Sequence, residues 1–332
     1  MGSQPTGVRV EGPPKGNEPG GVSPPSHSAR PRAAGPGQQV PASRKRASLR
    51  PYLYVLPALL VMLLVYAYPV YLNVRFSLMN LVGFQGTYSG LRNYRILFDD
   101  RAFYQSILHN FLLFLLVPVL IFLAILFSTL LFEQMRGWRF YRTVIFVPTV
   151  LSITVVGIVF SIAFQRNGAI NQLLRSAGLD FLALNWLGDV NLALVTVGMV
   201  IVWRELGFGT ILFLARLSSM SEEVLDAAKL DGAGWWARVR HIMVPELATV
   251  IEFYAVIMLI TMLSWVFNYV YVLTAGGPGT STYVMELYIY REAFLHNRLG
   301  VASAAAVVLF ILTLALMVLS SRQRRRVAQE YE

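Results

Sequence analysis

No cysteine occurs in this chain, so disulfides and thiolate metal sites are excluded, and its four histidines (His27, His109, His241, His296) are too scattered to suggest a metal cluster. Charge is scarce as well. Asp, Glu, Lys and Arg supply 14% of the residues against 56% hydrophobic, and mean hydropathy is +0.56. That balance points away from soluble domains and toward an integral membrane protein, with the bilayer as solvent. The phosphate-cradling pattern G-x-x-x-x-G-K-[ST] is missing, so nothing here binds ATP in that way. A recognisable nucleophile and base pair is missing too, which argues against an intramembrane hydrolase. The net charge of +10 accompanies apolar runs rather than a nucleic-acid recognition motif, and is read as membrane topology.

Residues 1–50 hold nine prolines and eight glycines and cannot bury enough surface to offset chain entropy, so a disordered tail is expected. It does not read as a signal peptide, because the apolar run begins only after Pro51, continues too long and lacks a small-residue cleavage site.

Six apolar segments follow, near 52–72, 107–131, 143–164, 192–215, 248–273 and 300–319, each long enough for a spanning helix. Pro57, Pro69, Pro118 and Pro148 fall inside or at the ends of these runs, where membrane helices tolerate them. The ends on one side carry fifteen Lys and Arg, among them Arg44, Arg139, Arg240 and Arg324, and those on the other carry eight. Both termini are therefore expected in the cytoplasm. The division is a tail (1–50), a first helix with its external loop (51–102), a core (103–320) and a C-terminal cytoplasmic tail (321–332).

One cytoplasmic stretch, "DAAKLDGAGWWARVRHIMVP" at 226–245, is unusually charged for this chain. Ser219 and Glu222 have capping-box spacing, and Glu223 adds negative charge where a helix begins near Ser221. Gly232 and Gly234 permit a bend, and a second short helix, 235–243, is expected to run into Pro245. On these grounds alone the stretch is either a knob for a partner's groove or an amphipathic surface helix anchored by Trp235 and Trp236.

The stretch resembles the EAA loop of bacterial ABC importer permeases. Asp226, Ala227, Ala228, Asp231, Gly232, Ala233, Ile242 and Pro245 fall in register with that family's pattern. Asp226 stands where Glu is usual, and Val244 where Leu is usual; Ser221 and Ala248 occupy positions that often hold proline. "GLRNY" (90–94), "FYRTVIFVP" (140–148), "NWLGDVNLAL" (185–194), "VLTAGGPGTST" (272–282) and "LYIYREAF" (287–294) add to the likeness, which covers about 51–320 and is strongest to the first-subunit type of the sugar and glycerol-phosphate branch. The resemblance implies an all-α integral membrane protein of six transmembrane helices, with the type I ABC importer permease fold, in the bacterial inner membrane. It implies an external solute-binding protein, a second permease subunit, a cytoplasmic ATPase dimer docked on 221–245, and alternating access about a central site. No cofactor is expected in this chain, since ATP and Mg would sit on the ATPase; lipid surrounds it, and nucleic acid has no part.

Arg204 and Glu205 sit mid-span, where a charge has to face protein or water. They either line a substrate cavity or form a structural ion pair with the other permease subunit. In "SWVFNYVYVL" (264–273), Trp265, Asn268, Tyr269 and Tyr271 lie at membrane depth, and Trp265, Asn268 and Tyr271 share one stripe. Aromatic faces and an amide suit a sugar or polyol; core packing is the alternative. "GGPGTST" (276–282) lacks a Lys and is read as a turn between helices five and six, with contact to a binding protein left open. A glycerol-3-phosphate or other solute importer, or a channel, are the competing functions.

Overall fold

Helices dominate because a backbone in hydrocarbon has to satisfy its own N–H and C=O groups. The computed structural model describes residues 50–82 and 85–330; the expected disordered tail lies outside them, apart from Arg50. Two units divide after Leu56, and of the first only the start of the opening helix, Arg50–Leu56, is described.

That helix runs as α1 (Arg50–Met62), a π-turn (Leu63–Ala67) and α2 (Tyr68–Ser77). A hairpin of β1 (Met79–Val82) and β2 (Gln85–Tyr88) follows, pairing Met79 with Tyr88. It was not legible as strand, and it adds a small sheet to the expected all-α architecture. Next come α3 (Arg92–Asp99), α4 (Arg101–Phe114), α5 (Leu116–Phe132), α6 (Trp138–Val150), α7 (Ile153–Ala163) and α8 (Ala169–Ser176). The second half holds α9 (Ala193–Leu217), α10 (Glu222–Leu230), α11 (Trp235–Arg238), α12 (Val244–Ser264), α13 (Val266–Leu273), α14 (Met285–Tyr290) and α15 (Leu299–Glu330). The segment 321–330 expected as a tail thus continues the last helix.

Among the described residues, five helices are long and apolar enough to cross a bilayer: Tyr54–Ser77, Arg101–Phe132, Ala193–Leu217, Trp235–Ser264 and Leu299–Val318. The pair α6 and α7, bent by 103°, makes six when counted as one crossing. A single helix over 143–164 was expected there, but Leu151 and Ser152 are extended and separate the two halves. Around the fifth span the expected boundaries also move: the helix begins at Trp235, and breaks at Trp265 before α13.

Lipid tails are as apolar as leucine, so these helices gain from close packing more than from hydrophobic burial. The most enclosed span is α9, and its glycines show how the packing is achieved. A Cβ at Gly207 would stand 2.3 Å from the Ile145 carbonyl oxygen of α6, and one at Gly209 2.6 Å from the Tyr254 ring of α12. Around this axis lies one core that includes Val197, Ile201, Phe213, Met243, Tyr254 and Tyr269. A second, smaller core joins α3, α4, α14 and α15 through Leu97, Phe103, Met285, Tyr288, Val301 and Ala305. The hairpin is tied to it by Asn93, whose amide donates to the Ser77 and Met79 carbonyls, both at 2.9 Å.

Candidate functional site

The charged stretch forms a two-helix projection. In α10, Leu225 is buried and anchors the helix, while Asp226, Ala227, Asp231, Gly232 and Pro245 are exposed and Ala228 and Ala233 half-buried. Leu230 is 90% exposed, an apolar side chain that no described residue covers. The helix closes in a Schellman motif, with the Gly232 N–H donating to Lys229 O at 3.0 Å and the Ala233 N–H to Ala228 O at 2.9 Å. Gly232 supplies the required positive φ of +79°, and Gly234, at φ −62°, does not need glycine's freedom.

Two expectations about this stretch are corrected. Ser219 does not cap α10: its hydroxyl donates back to Arg216 O at 2.7 Å, and Ser221 is the N-cap residue without a side-chain cap bond. Nor does the second helix end at Pro245. It passes through a π-turn, Val239–Met243, straight into the fifth span. The wide turn makes room for the proline ring and for the carbonyl that its missing N–H leaves free.

One ion pair, Arg238 with Glu133, fixes the projection to the bundle, and a second, Arg216 with Glu246, joins the two spans at its base. Arg238 donates to Glu133 Oε1 at 2.6 Å and to Ala233 O at 2.9 Å, and Arg216 meets Glu246 at 2.5 Å. Asp226 pairs with Lys229 at 2.9 Å, but both are well exposed, so that pair contributes little to stability. Between the projection and the ends of α5 and α9 lies a cavity of about 690 Å³, bordered by Glu133, Trp138, Arg142, Ser218, Asp226 and Arg238.

At membrane depth, Arg204 and Glu205 pair with each other at 2.5 Å. Glu205 is buried, and its Oε1 also accepts from the Tyr269 hydroxyl at 2.6 Å; the Tyr254 hydroxyl donates to its backbone oxygen at 3.3 Å. Arg204 reaches the break in the third span, donating to Leu151 O at 3.3 Å and Thr149 O at 3.4 Å. Carbonyls set free by the bend therefore find a donor. Both charged residues have partners inside their own chain.

Of the four fifth-span residues singled out from sequence, three share a face and one does not. Trp265, Asn268 and Tyr271 are exposed or half-buried, whereas Tyr269 is fully buried and donates to Glu205. Tyr271 stacks on Phe267 at 5.2 Å and meets Tyr290 at 5.6 Å, edge to face, so aromatic surface continues from α13 onto α14. Sequence reading passed over Tyr254, Thr149 and Trp203, the last 42% exposed and T-shaped on Phe160 at 5.0 Å. The available signal was the buried acid: a mid-span carboxylate needs donors, and tyrosines on a neighbouring span can supply them.

The remaining motifs are structural supports. In "NWLGDVNLAL" the Trp186 indole donates to Asn171 Oδ1 at 2.8 Å, and Asp189 Oδ1 accepts from the Asn191 N–H at 2.8 Å. "GGPGTST" is the expected turn, held by Thr274 and Thr282 at 2.7 Å and by Thr280 donating to Gln105 at 2.6 Å. In "LYIYREAF", buried Glu292 accepts from Arg298 at 2.9 Å and contacts His296 at 2.7 Å. At the start of α14, Asn110 Oδ1 accepts from the Met285 N–H at 2.8 Å. The neighbouring Glu286 carboxyl is shut from solvent without a well-formed hydrogen bond, and burial pushes it up to about 7, opposed by its own backbone N–H and by Asn110.

Residues 98–329 match the family described as "Binding-protein-dependent transport system inner membrane component". A probable ABC transporter permease, YurN of Bacillus subtilis, is 38% identical over 82% of this chain and 94% of its own length. The lactose transport system permease LacF of Rhizobium radiobacter is 32% identical over 85% and 97%, and the sn-glycerol-3-phosphate permease UgpA of Pectobacterium atrosepticum 29% identical over 83% and 94%. Among solved structures, a bacterial ABC transporter that imports the acidic polysaccharide alginate has a chain that superposes with a TM-score of 0.72 at 23% identity, covering 84% of this chain and 96% of that one. The chain belongs to the binding-protein-dependent transport system inner membrane component family, the permease subunits of ABC transporters.

Proposed function

We propose that this permease forms half of the path for a neutral oligosaccharide or polyol in an ATP-driven importer. An external solute-binding protein delivers the solute, a second permease completes the path, and a cytoplasmic ATPase pair drives it. Residues 221–245 are the dock for the ATPase, with Asp226, Ala227, Asp231, Gly232 and the protruding Leu230 as its exposed surface. The fifteen-to-eight distribution of Lys and Arg supports placing this projection and both termini in the cytoplasm.

The observation that carries the substrate class is the partly exposed stripe of Trp265, Asn268 and Tyr271 where the fifth span breaks. Indole and phenol faces cover the apolar side of a pyranose ring and the amide serves its hydroxyls. Arg204, the cation an anionic solute would need at that depth, is already neutralised by Glu205 and bonded to the third-span break. Relatives named for lactose and for multiple sugars support this reading; UgpA, named for sn-glycerol-3-phosphate, keeps the phosphorylated solute as the second reading. A channel has no use for a projecting dock.

Reconstitution of this permease with its partner permease, ATPase and binding protein tests the proposal. Uptake of a labelled neutral saccharide with ATP inside the vesicle is expected; strict preference for a phosphorylated solute overturns the substrate class, and ATP-independent flux overturns the importer.

A further inference from the structure

A small cleft separates the outer side of α5 from the segment that joins the projection to the fifth span. Its volume is about 140 Å³; Phe122, Ile125 and Leu126 form one wall, and Trp235, Trp236 and Arg240 are on the other. We propose that it holds an anionic phospholipid of the cytoplasmic leaflet, with one acyl chain between the walls and the phosphate at Arg240. The proposal rests on the reading that residues 221–245 face the cytoplasm.

Three observations select this occupant. First, the lining is apolar except for Thr129 and Arg240, so a polar cytosolic solute would find one cation and almost nothing to hydrogen-bond. Second, Phe122 is 56% exposed. From Phe122 to Thr129 the cleft follows α5 for about 10 Å into the depth where acyl chains lie. Third, Arg240 sits one helical turn before Val244, at the end of the apolar span, with Trp236 beside it 58% exposed. That is headgroup level, where indoles and arginines face lipid phosphates. The nearby arginines are engaged, Arg238 with Glu133 and Arg216 with Glu246, whereas exposed Arg240 has no carboxylate partner among the described residues.

The lipid would brace the join between projection and span against α5, at a place where the π-turn already departs from regular helix. Both walls belong to one chain, so the site needs no second subunit.

The test uses the complete permease–ATPase complex in nanodiscs, with phosphatidylglycerol or phosphatidylcholine carrying a photoreactive acyl chain, and mass mapping of the adducts. Expected are phosphatidylglycerol adducts on both 122–129 and 235–244, weaker labelling by phosphatidylcholine, and no displacement by millimolar inorganic phosphate. Arg240→Ala should lower the labelling about fivefold, the effect of losing one cation at an anionic surface. Arg240→Lys should retain it, and Leu126→Trp should block the acyl adduct by filling the cleft. Equal labelling by both lipids, full labelling of Arg240→Ala, or displacement by inorganic phosphate would overturn the proposal, as would a crosslink from position 236 to the ATPase instead. Because the chain has no native cysteine, Ala237→Cys separates the two readings. Reaction with an impermeant maleimide only from outside rejects the cytoplasmic placement itself; reaction from inside without lipid adducts rejects the lipid site alone.

Discussion

Glu205 and Tyr269, on the fourth and fifth spans, meet at 2.6 Å through a buried hydrogen bond that joins two crossings at the level of the third-span break. Arg204 completes the arrangement by neutralising Glu205 and serving the carbonyls of Thr149 and Leu151. Removing one member of a buried pair costs more than the pair contributes, because the other charge is left without compensation. Arg204→Met is therefore expected to destabilise the permease by about 3–5 kcal/mol, and Tyr269→Phe by about 1–3 kcal/mol. Arg204→Met combined with Glu205→Leu should recover part of the loss, since it removes the uncompensated charge but leaves the Tyr269 hydroxyl and the Thr149 and Leu151 carbonyls without these partners. Thermal unfolding of the solubilised complex reads all of these; a double variant no better than Arg204→Met alone would refute the assignment.

At Gly232 the backbone and the space around it give separate penalties. Its φ of +79° strains any L side chain, but a Cβ there meets nothing within 4 Å. Gly232→Ala should thus cost only about 1 kcal/mol of stability, and Gly232→Asn less, since Asn tolerates left-handed backbone. Gly232→Tyr is expected to insert and assemble yet lose substrate-stimulated ATP hydrolysis, because a packed interface tolerates little added volume. Asp226→Ala should be milder, as its exposed pair with Lys229 adds little. Unaltered coupling in an assembled Gly232→Tyr complex would show that the projection is not the dock.

How much of this was legible in sequence depended on whether the cause was local. Six apolar runs gave the crossings, since span length follows from bilayer thickness. The turn at Gly232 was readable because a Schellman end needs a residue that accepts positive φ. The bend between α6 and α7 was hidden, because Pro148 was read as a proline tolerated within one span and the donor for the freed carbonyls, Arg204, lies about fifty residues away. In the fifth span the i, i+3 stripe of Trp265, Asn268 and Tyr271 emerged as one face. The intervening Tyr269 turned inward to an acid that only tertiary structure could pair with it. Ser219 misled for a similar reason: its spacing to Glu222 suits a cap, but the end of α9 claims its hydroxyl first.

The partly exposed stripe makes a prediction about kinetics rather than stability. Trp265→Ala and Asn268→Ala remove surface that packs little within the chain, so assembly should be near normal. Each is expected to reduce saccharide uptake about tenfold or more, in line with the loss of about 1–3 kcal/mol for an aromatic or hydrogen-bonding contact in a binding site. Initial-rate transport in vesicles, corrected for protein incorporated, measures this. Wild-type uptake in both variants would move the substrate path elsewhere.

Glu286 predicts how stability responds to pH. Burial lifts its carboxyl from 4.5 to about 7, so between those values the folded protein holds a proton that the unfolded chain has released. Stability from this group is then fully present below about pH 4.5, declines as pH rises, and is gone above about pH 7. The total is about 3 kcal/mol, since each tenfold change in proton affinity is worth about 1.4 kcal/mol. Glu286→Gln keeps the shape and the neutral state, so its unfolding temperature should match wild type at pH 5 and exceed it at pH 8. Tyr288, donating to Asp100 at 2.8 Å, and the Glu292–Arg298 pair lie in the same extramembrane region but are present in both proteins and cancel in the comparison. Unfolding of wild type and Glu286→Gln across pH 5 to 8 decides it: parallel curves would mean that Glu286 stays ionised in the fold and that a partner for its carboxylate has been overlooked.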